Sequence, residues 1–417
     1  MSKNILIVQN FNPNKGNNSV VTAMMSALQG VDVNIEITSA VPESAVEQYG
    51  VPCFDWLVSY KNILYSKSKI KKLLALICEI LWVIYLLIWI VMFKIHIKLW
   101  LPARKKKTID AYQRADVVVF PGGHSFTTMN GLGQVFSHCI GFYFGKIIGK
   151  KTMVYAHTVG PFMGIWAPII RGMSLYVLKR TDVVTIREKD SLKYCTGCNA
   201  ILTAETVFGI PTDLQQADCV KELQKIRENG NIVVGLTIHH IYYKYFFTKE
   251  EYIRIMANCI NIMTQQFACN VLLIPMESKT GNYNDRDLAY EIKKMLVLPE
   301  SFKIIDEDYE PIVTSAIIGK CDMFVGTKTH SIVYGLKAEV PTLCIAYQQK
   351  ANEFMEMYGV PENAINLSDL NSTIFQTVFS RMIADLDGIK VIQRNHNKLV
   401  RQKALENRDI LLTLLND

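Results

Sequence analysis

Short β-rich runs alternate with longer amphipathic segments along most of the chain. Each run is rich in apolar and β-branched residues and ends in a polar or glycine-rich loop, which is typical of buried parallel strands. Nine such runs lie at 4–8, 117–120, 152–156, 183–186, 232–236, 271–274, 303–305, 323–325 and 342–345. Helical patterns between them cover 18–29, 249–267, 285–296, 310–319 and 331–338. This alternation predicts an α/β fold built from βαβ units and doubly wound parallel sheets.

A polar segment near the middle of the chain divides it into two lobes. It opens with Gly209 and Pro211 and closes with the turn-like residues 227–231, which read RENGN. We therefore predict two Rossmann-like lobes, a linker and a helical tail. Their predicted limits are 1–208 for the N-terminal lobe, 209–230 for the linker, 231–384 for the C-terminal lobe and 385–417 for the tail.

Residues 73–93 interrupt the first lobe with an almost unbroken apolar run in which only Glu79 is charged. Twenty-one helical residues span about 31 Å, enough for a bilayer core, and basic residues flank both ends. A single crossing would place strands of one predicted sheet on opposite sides of a membrane. We therefore predict that the insertion, about 67–107, is a helix or helical hairpin that dips into one leaflet. The alternative is a helix buried in a core or interface.

Composition limits the classes of protein that need to be considered. The chain has 417 residues, of which 50% are apolar and 20% charged, which excludes a disordered or fibrous protein. The net charge of +7 is too small to predict a nucleic-acid partner. Ten scattered cysteines and the absence of an N-terminal secretory pattern favour a cytoplasmic protein, which the apolar insertion would hold peripherally or monotopically on the inner face of the cell membrane.

The loops that follow the strands are where chemistry is expected, because ligands of open α/β sheets bind beyond the carboxyl ends of the strands. These loops lie at 10–19, 121–125, 157–161, 187–191 and 326–331. The last one opens a helix and carries Lys328 and His330. Free N–H groups, a cation and a group that transfers protons near neutral pH would suit a phosphate or carboxylate ligand. A solvated helix cap is the alternative.

An ordered series of short motifs resembles the polysaccharide pyruvyl transferase family. Each motif is weak alone, but their order along the chain matches the family over nearly all of the chain outside the apolar insertion and the tail. The motifs are Gly16–Asn17, Gly122–Gly123 with Ser125, Gly160–Pro161, RExxS at Arg187, Glu188 and Ser191, TAETVF at 203–208, Lys328 with His330, Val340–Pro341, and Tyr347 with Lys350.

The resemblance implies a two-lobed fold like that of glycosyltransferase-B enzymes, with the active site in the cleft. It implies a transferase that moves a pyruvyl group from phosphoenolpyruvate to a saccharide, forming a cyclic pyruvate ketal during cell-surface or extracellular polysaccharide biosynthesis. No metal and no cofactor are expected besides phosphoenolpyruvate as co-substrate. The expected donor-binding residues are Arg187, Lys328, His330, Ser331 and Lys350, and the expected substrate loops contain Gly16, Asn17, Gly122, Gly123, Ser125, His157 and His239.

Two residues are candidates for catalysis. His330 is the candidate general acid or phosphate partner, and Glu205 is the candidate base, although a carboxylate there could instead orient Arg187. The chain departs from the family pattern in having Lys328 where arginine is usual, and lysine lacks the two-pronged grip of a guanidinium. It also has Glu205 in place of aspartate and His124 in place of glycine.

Two other functions remain open at this stage. A glycosyltransferase with a nucleotide-sugar donor could use the same architecture, and so could a non-catalytic, membrane-associated assembly protein. If pyruvyl transfer is correct, the expected partners are phosphoenolpyruvate, a saccharide acceptor that is either lipid-linked or free, and the membrane surface, with no nucleic acid.

Overall fold

The computed structural model describes residues 2–10, 15–59, 68–239, 242–277 and 284–417. Within these residues the chain forms two parallel sheets with helices between successive strands, which confirms the predicted α/β class. The strands of the first sheet are β1 Lys3–Asn10, β2 Val33–Ser39, β3 Cys53–Asp55, β4 Val117–Phe120, β5 Lys151–His157, β6 Val183–Ile186 and β7 Ala200–Leu202. Those of the second are β8 Val233–Leu236, β9 Asn270–Leu273, β10 Phe302–Ile304, β11 Met323–Gly326, β12 Thr342–Ala346 and β13 Ala364–Asn366.

The two sheets share one winding pattern. The first has the order β3-β2-β1-β4-β5-β6-β7 and the second β10-β9-β8-β11-β12-β13. In both, the first strand in sequence lies beside the fourth, so the direction of winding reverses between β1 and β4 and between β8 and β11. This reversal is the switch point at which open α/β sheets bind ligands.

All nine strands predicted from the apolar runs are present, and four further strands were missed. Three of the missed strands, β3, β7 and β13, have three residues each and lie at sheet edges. The fourth, β2, alternates apolar residues with Asn34 and Glu36. Edge positions bury fewer side chains, so these strands do not show the continuous apolar pattern of the central ones.

The helices cover most of the connections between strands. The helix predicted at 18–29 begins earlier, at Lys15, and the one predicted at 249–267 ends in a π-helical turn at Ile262–Gln266. The helices are α1 Lys15–Ala27, α2 Pro42–Tyr49, α3 Lys69–Lys94, α4 Ala103–Arg114, α5 Leu132–Ile147, α6 Ala167–Leu178, α7 Lys221–Ile226, α8 Lys249–Asn261, α9 Asp285–Lys293, α10 Pro311–Gly319, α11 Thr329–Lys337, α12 Gln349–Met357, α13 Ser372–Ala384 and α14 Leu386–Asn416.

The chain divides into two compact units. Within the described residues, the first unit holds 2–10, 20–206 and 404–417, and the second holds 15–19 and 207–403. Residues 209–230, the predicted linker, include α7 and belong to the second unit. The C-terminal helix α14 contributes residues to both units.

Both faces of the first sheet are covered, which explains why its central strands are apolar throughout. Leu6, Val118 and Phe120 pack into a core on one face. Ile7 and Val119 pack into a second core on the other face, together with the end of α14. Because successive side chains of a strand point to opposite faces, two cores require apolar residues at consecutive positions.

The apolar run 73–93 lies within one continuous helix, α3, and does not turn back on itself as a hairpin. It is long and apolar enough to cross a membrane by length and composition, and only 11% of its most apolar 18-residue window is buried. One side packs on the first core through Leu86 and Trp89, and the Trp89 ring lies 6.0 Å from that of Phe144 on α5. Most of the helix surface is exposed, so the buried-helix alternative describes only this one side.

The end of α14 is joined to the first sheet by a buried amide. The Oδ1 atom of Asn407 accepts hydrogen bonds from the hydroxyls of Thr185 at 2.6 Å and Thr203 at 2.9 Å. Its Nδ2 donates to the carbonyl oxygens of Ala204 and Ala404. The side chains of Asn407, Thr185 and Thr203 are fully buried. An apolar side chain at position 407 could not replace these hydrogen bonds.

We expect Asn407→Leu to lower the free energy of unfolding by about 2–4 kcal/mol, because it leaves buried hydroxyls and a carbonyl without partners. Unfolding by urea, followed through the transition of the first unit, measures this change in the free energy of unfolding. Gln402→Leu, on an exposed turn of the same helix, should change the free energy by less than about 0.5 kcal/mol. Equal effects of the two substitutions would contradict the assignment.

A buried lysine ends helix α11. Lys337 is 7% exposed, and its ammonium lies 5.7 Å from the centre of the Tyr334 ring. Desolvation by burial lowers the pKa of Lys337 from 10.5 to about 8. The unfolded chain therefore binds this proton more tightly than the folded one.

Lys337→Met should raise the free energy of unfolding by about 2–3 kcal/mol at pH 7. The difference in the free energy of unfolding between the two proteins should shrink as pH rises from about 8 to 10.5, because the amine of Lys337 then loses its proton in the folded and in the unfolded state. Thermal unfolding of both proteins across this range measures the difference. Lys294→Met, at an exposed position, should show no such dependence, and a gap that is constant with pH would refute the lowered pKa.

Candidate functional site

The guanidinium of Arg187 holds together four loops at the carboxyl edge of the first sheet. Arg187 follows β6, is fully buried and forms an ion pair with Glu205, which follows β7. Its Nε donates to Thr158 Oγ1 at 2.9 Å, and its Nη2 donates to the carbonyl oxygen of Gly123 at 3.1 Å. One side chain thus connects the loops after β4, β5, β6 and β7.

The remaining residues of the RExxS motif complete this network. Glu188 lies 3.4 Å from Arg187 Nε through Oε2 and accepts a hydrogen bond from Thr158 at 3.2 Å. Ser191 donates to Glu188, and its hydroxyl accepts the backbone N–H of Val159 at 2.9 Å. The spacing of the motif therefore places Glu188 against the Thr158 side chain and Ser191 against the Val159 backbone.

The contacts of Arg187 are those of a positioning residue. Burial by itself would lower the pKa of Arg187, but Glu205 and Glu188 more than offset it and raise the pKa above its ordinary value. Two buried carboxylates surround this one guanidinium, so little of its charge is left for a further anion. The donor-binding role implied for Arg187 stays a prediction. The geometry favours the alternative for Glu205, in which the carboxylate orients Arg187.

His157 holds the glycine loop that follows β4. Its Nδ1 lies 3.0 Å from the carbonyl oxygen of Pro121, and its Nε2 accepts the backbone N–H of Ser125 at 2.9 Å. The proton must therefore be on Nδ1, and the ring is neutral. Ala156, with a φ of 48°, bends the end of β5 so that the ring reaches this loop. Both ring nitrogens thus contact the loop at 121–125, and the predicted contact of His157 with a substrate stays a prediction.

Close packing against β5 explains the glycine of this loop. A Cβ atom on Gly122 would lie 2.8 Å from the carbonyl oxygen of Ala156, which is too close for any other residue. The neighbouring Gly123 carbonyl accepts both Arg187 and the Thr158 backbone N–H. The loop at 121–125 is thus fixed by backbone groups, and its conformation depends on residues from β5 and β6.

In the second unit, the loop from Gly326 to Ser331 lies at the switch point of the second sheet. The hydroxyl of Thr237, which follows β8, lies 2.8 Å from that of Ser331 and accepts the backbone N–H of Thr327 at 3.0 Å. Ser331 also donates to the carbonyl oxygen of Lys328. Ser331 therefore shapes the loop, and His330 is placed at the second residue of α11.

Lys328 is held by two carboxylates. Its ammonium lies 3.0 Å from Glu277 Oε2 and 2.9 Å from Asp285 Oδ2. Asp285 also accepts the backbone N–H groups of Met276 and Glu277, both at 3.0 Å. Lysine suits this arrangement because its point charge needs no planar partner. Its role toward a donor stays a prediction.

A second lysine reaches the same edge of the second sheet and was not found from sequence. Lys15 lies 2.8 Å from Asp308 and donates to the carbonyl oxygen of Pro275 at 3.2 Å. Desolvation lowers its pKa despite the opposing effect of Asp308. Arg286, beside Asp285, donates to the carbonyl oxygen of Ile305. The sequence signal that could have identified Lys15 is its position at the start of a helix that follows a strand.

The remaining predicted residues lie on neighbouring loops of the second unit. The ring of His239, after β8, is 4.9 Å from that of Tyr347, after β12, and the Tyr347 hydroxyl lies 3.4 Å from that of Thr329. Lys350, in the first turn of α12, is 8% exposed. Gly16 and Asn17 lie in the first turn of α1 and not in a loop, and they group with the second unit.

Comparison with known proteins decides the family. The polysaccharide pyruvyl transferase family matches residues 14–349, which is most of the chain. The protein belongs to this family. It is therefore a transferase that acts in polysaccharide modification, and the resemblance seen in its motifs is confirmed.

Relatives of this pyruvyl transferase family member agree with its fold. The amylovoran biosynthesis protein AmsJ of Erwinia amylovora is 21% identical over 327 residues, covering 75% of this chain and 76% of AmsJ. A putative UDP-N-acetylglucosamine 2-epimerase from Listeria monocytogenes superposes with a TM-score of 0.63 at 10% identity over 97% of this chain and 94% of its own. A glycosyltransferase from Rickettsia africae superposes with a TM-score of 0.57 at 12% identity, over 100% of this chain and 99% of its own. These structures share the two-lobed glycosyltransferase-B fold.

We expect Arg187→Ala to lower the free energy of unfolding by about 3–5 kcal/mol, because it leaves Glu205 and Glu188 buried without a cation. Chemical denaturation followed by far-UV circular dichroism measures the loss. The double substitution Arg187→Met with Glu205→Leu should recover part of it, since one uncompensated charge is removed. If Arg187→Ala left stability unchanged, the guanidinium would not be the link between these loops.

Proposed function

We propose that this protein transfers the pyruvyl group of phosphoenolpyruvate to a saccharide and forms a cyclic ketal during the synthesis of a cell-surface or extracellular polysaccharide. The observation that carries the proposal is the position of His330. It lies in the first turn of α11, beyond the carboxyl end of β11, at the switch point of the second sheet. Family membership supplies the reaction class.

Phosphoenolpyruvate fits the chemistry of this edge of the second sheet. The start of α11 presents backbone N–H groups that suit an anion. Lys350 lies in the first turn of α12, which follows the neighbouring strand β12. We assign the larger share of donor binding to the start of α11, and the charges of Lys328, which is paired with Glu277 and Asp285, and of Lys350 lie at the same edge of the sheet. No metal ion or further cofactor enters the proposed reaction.

The reaction balances with the protons of the acceptor itself. A proton adds to the methylene carbon of the enol and becomes part of the new methyl group. One saccharide hydroxyl bonds to the adjacent carbon, the C–O bond to phosphate breaks, and a second hydroxyl closes the ring. Of the two hydroxyl protons, one replaces the proton given to the methyl group, and the other leaves with phosphate. We assign His330 as the general acid.

In the first unit, we propose that the loop at 121–125 contacts a substrate and that Arg187 and His157 act through it. Both residues hold this loop by hydrogen bonds to Gly123 and Ser125. Glu205 then supports Arg187, and we do not assign it as the base. We therefore expect substitutions of Arg187, His157 or Glu205 to alter the shape of the loop and to leave the chemical step unchanged.

We further propose that the acceptor is lipid-linked and that the enzyme works on the cytoplasmic face of the membrane. The exposed apolar helix α3 motivates this placement. An enzyme held at the surface would meet a lipid-linked acceptor in two dimensions. This part of the proposal is separable from the reaction, because a saccharide without lipid could also accept the pyruvyl group.

Purified protein should release phosphate from phosphoenolpyruvate only when a suitable saccharide acceptor is present. Mass spectrometry should find the product heavier than the acceptor by one pyruvic acid less one water. His330→Gln should lower the rate by about 10²-fold or more, because it removes a proton donor. His396→Gln, on α14, is the matched control and should keep the parent rate.

Ligand-induced thermal stabilisation separates this reaction from the alternatives. Phosphoenolpyruvate should raise the melting temperature in a concentration-dependent way, and uridine or guanosine diphosphates should not. Stabilisation by the nucleotides alone would favour a nucleotide-sugar glycosyltransferase. An unchanged product profile in a cell that carries only the His330→Gln protein would favour a non-catalytic role.

A further inference from the structure

The outward face of helix α3 is entirely apolar. Six residues at alternating three- and four-residue spacing lie on it, each between 43% and 58% exposed. This spacing places them along one side of a helix about 39 Å long. They are Leu73, Ile77, Ile80, Ile84, Leu87 and Val91. A continuous exposed strip of this kind is rare on a protein surface that faces water.

The opposite side of α3 packs on the first unit from Ala75 to Phe93. Its half-buried or buried positions include Ala75, Glu79, Trp82, Leu86, Trp89 and Phe93. Glu79 accepts the backbone N–H of Ser59 at 3.2 Å, and the indole N–H of Trp82 donates to the carbonyl oxygen of Leu57 at 2.7 Å. The only acidic residue of the helix therefore faces the protein. The axis of α3 runs along the protein surface.

Sheet topology excludes a crossing by this single helix. β1 to β3 precede α3 in the chain and β4 to β7 follow it, yet β1 and β4 pair directly in one sheet. A span across the bilayer would put these hydrogen-bonded strands on opposite sides of a membrane. The helix can meet lipid only with both of its ends on the same side.

The charges around the strip favour anionic lipid over a second copy of this chain. Exposed lysines stand at both ends of α3, at Lys69, Lys71 and Lys72 and at Lys94 and Lys98. A two-fold dimer through this strip would bring lysines against lysines, whether the two helices run parallel or antiparallel. Anionic headgroups would instead pair with both ends. Trp100, 76% exposed just beyond the helix, suits the interface between headgroups and acyl chains.

We propose that α3 lies in the plane of an anionic bilayer surface, with its outer strip among the acyl chains and its lysines at the headgroups. The protein is then monotopic, and the first unit rests against the membrane along this helix. This gives a geometry to the proposed membrane localisation and does not depend on pyruvyl transfer, so that each can fail without the other.

Flotation of the full-length protein with vesicles tests the proposal. Binding is expected to vesicles of phosphatidylcholine with phosphatidylglycerol, and to weaken at high salt or with phosphatidylcholine alone. Ile77→Gln with Ile84→Gln should lower the bound fraction about tenfold, because two outer apolar side chains are lost while helix propensity is kept. Met295→Gln with Val297→Gln, two exposed apolar residues of the second unit, is the matched control and should bind as the parent does.

Depth measurements distinguish lying in the plane from crossing. An environment-sensitive probe is attached at Leu73→Cys, Ile84→Cys or Val91→Cys, in a protein whose exposed Cys78 and Cys219 are replaced by serine. Similar shallow depths at all three positions support the proposal, and a deep centre with ends on opposite sides overturns it. Equal flotation of the Ile77→Gln, Ile84→Gln protein also overturns it. So does a lipid-free dimer that this double substitution dissociates. Phosphate release by the same variants on an acceptor without lipid should stay unchanged.

Discussion

A single buried guanidinium holds the carboxyl edge of the first sheet together. Arg187 bonds to groups from the loops after β4, β5 and β7, and lies on the loop after β6 itself. Since two carboxylates surround it without contact with water, the arrangement is stable only when every partner is present. The conformation of the glycine loop at 121–125 follows from this constraint.

The second unit solves a similar problem with lysine and hydroxyl groups. Thr237 and Ser331 fix the start of α11, while Glu277 and Asp285 fix Lys328. A family residue can therefore change from arginine to lysine without loss of the local charge balance. What changes is the contact geometry, because lysine lacks the planar two-pronged contact of a guanidinium.

The two sides of helix α3 differ in what they contact. Its inner side carries the side chains that an α/β lobe needs to cover a sheet, and its outer side carries the composition of a lipid-facing segment. The two sides are interleaved in sequence, so the run is apolar throughout. Only the pairing of β1 with β4 separates a surface helix from a spanning one.

The amino-acid sequence by itself determined the α/β class, nine of the strands in the described residues and the motifs of the family. These features depend on local apolar runs and on short motifs, which can be seen without knowing what packs against them. Short edge strands such as β3 and β13 escaped, because their side chains are only partly buried and carry no repeating pattern.

Only the tertiary structure decided what the conspicuous residues do. Arg187 and Lys328 look in sequence like free cations, but each meets two carboxylates. Lys15 and Asp308 are nearly three hundred residues apart yet form one ion pair. Charge balance in a buried site depends on every group within a few ångströms. Spacing along the chain does not contain that information.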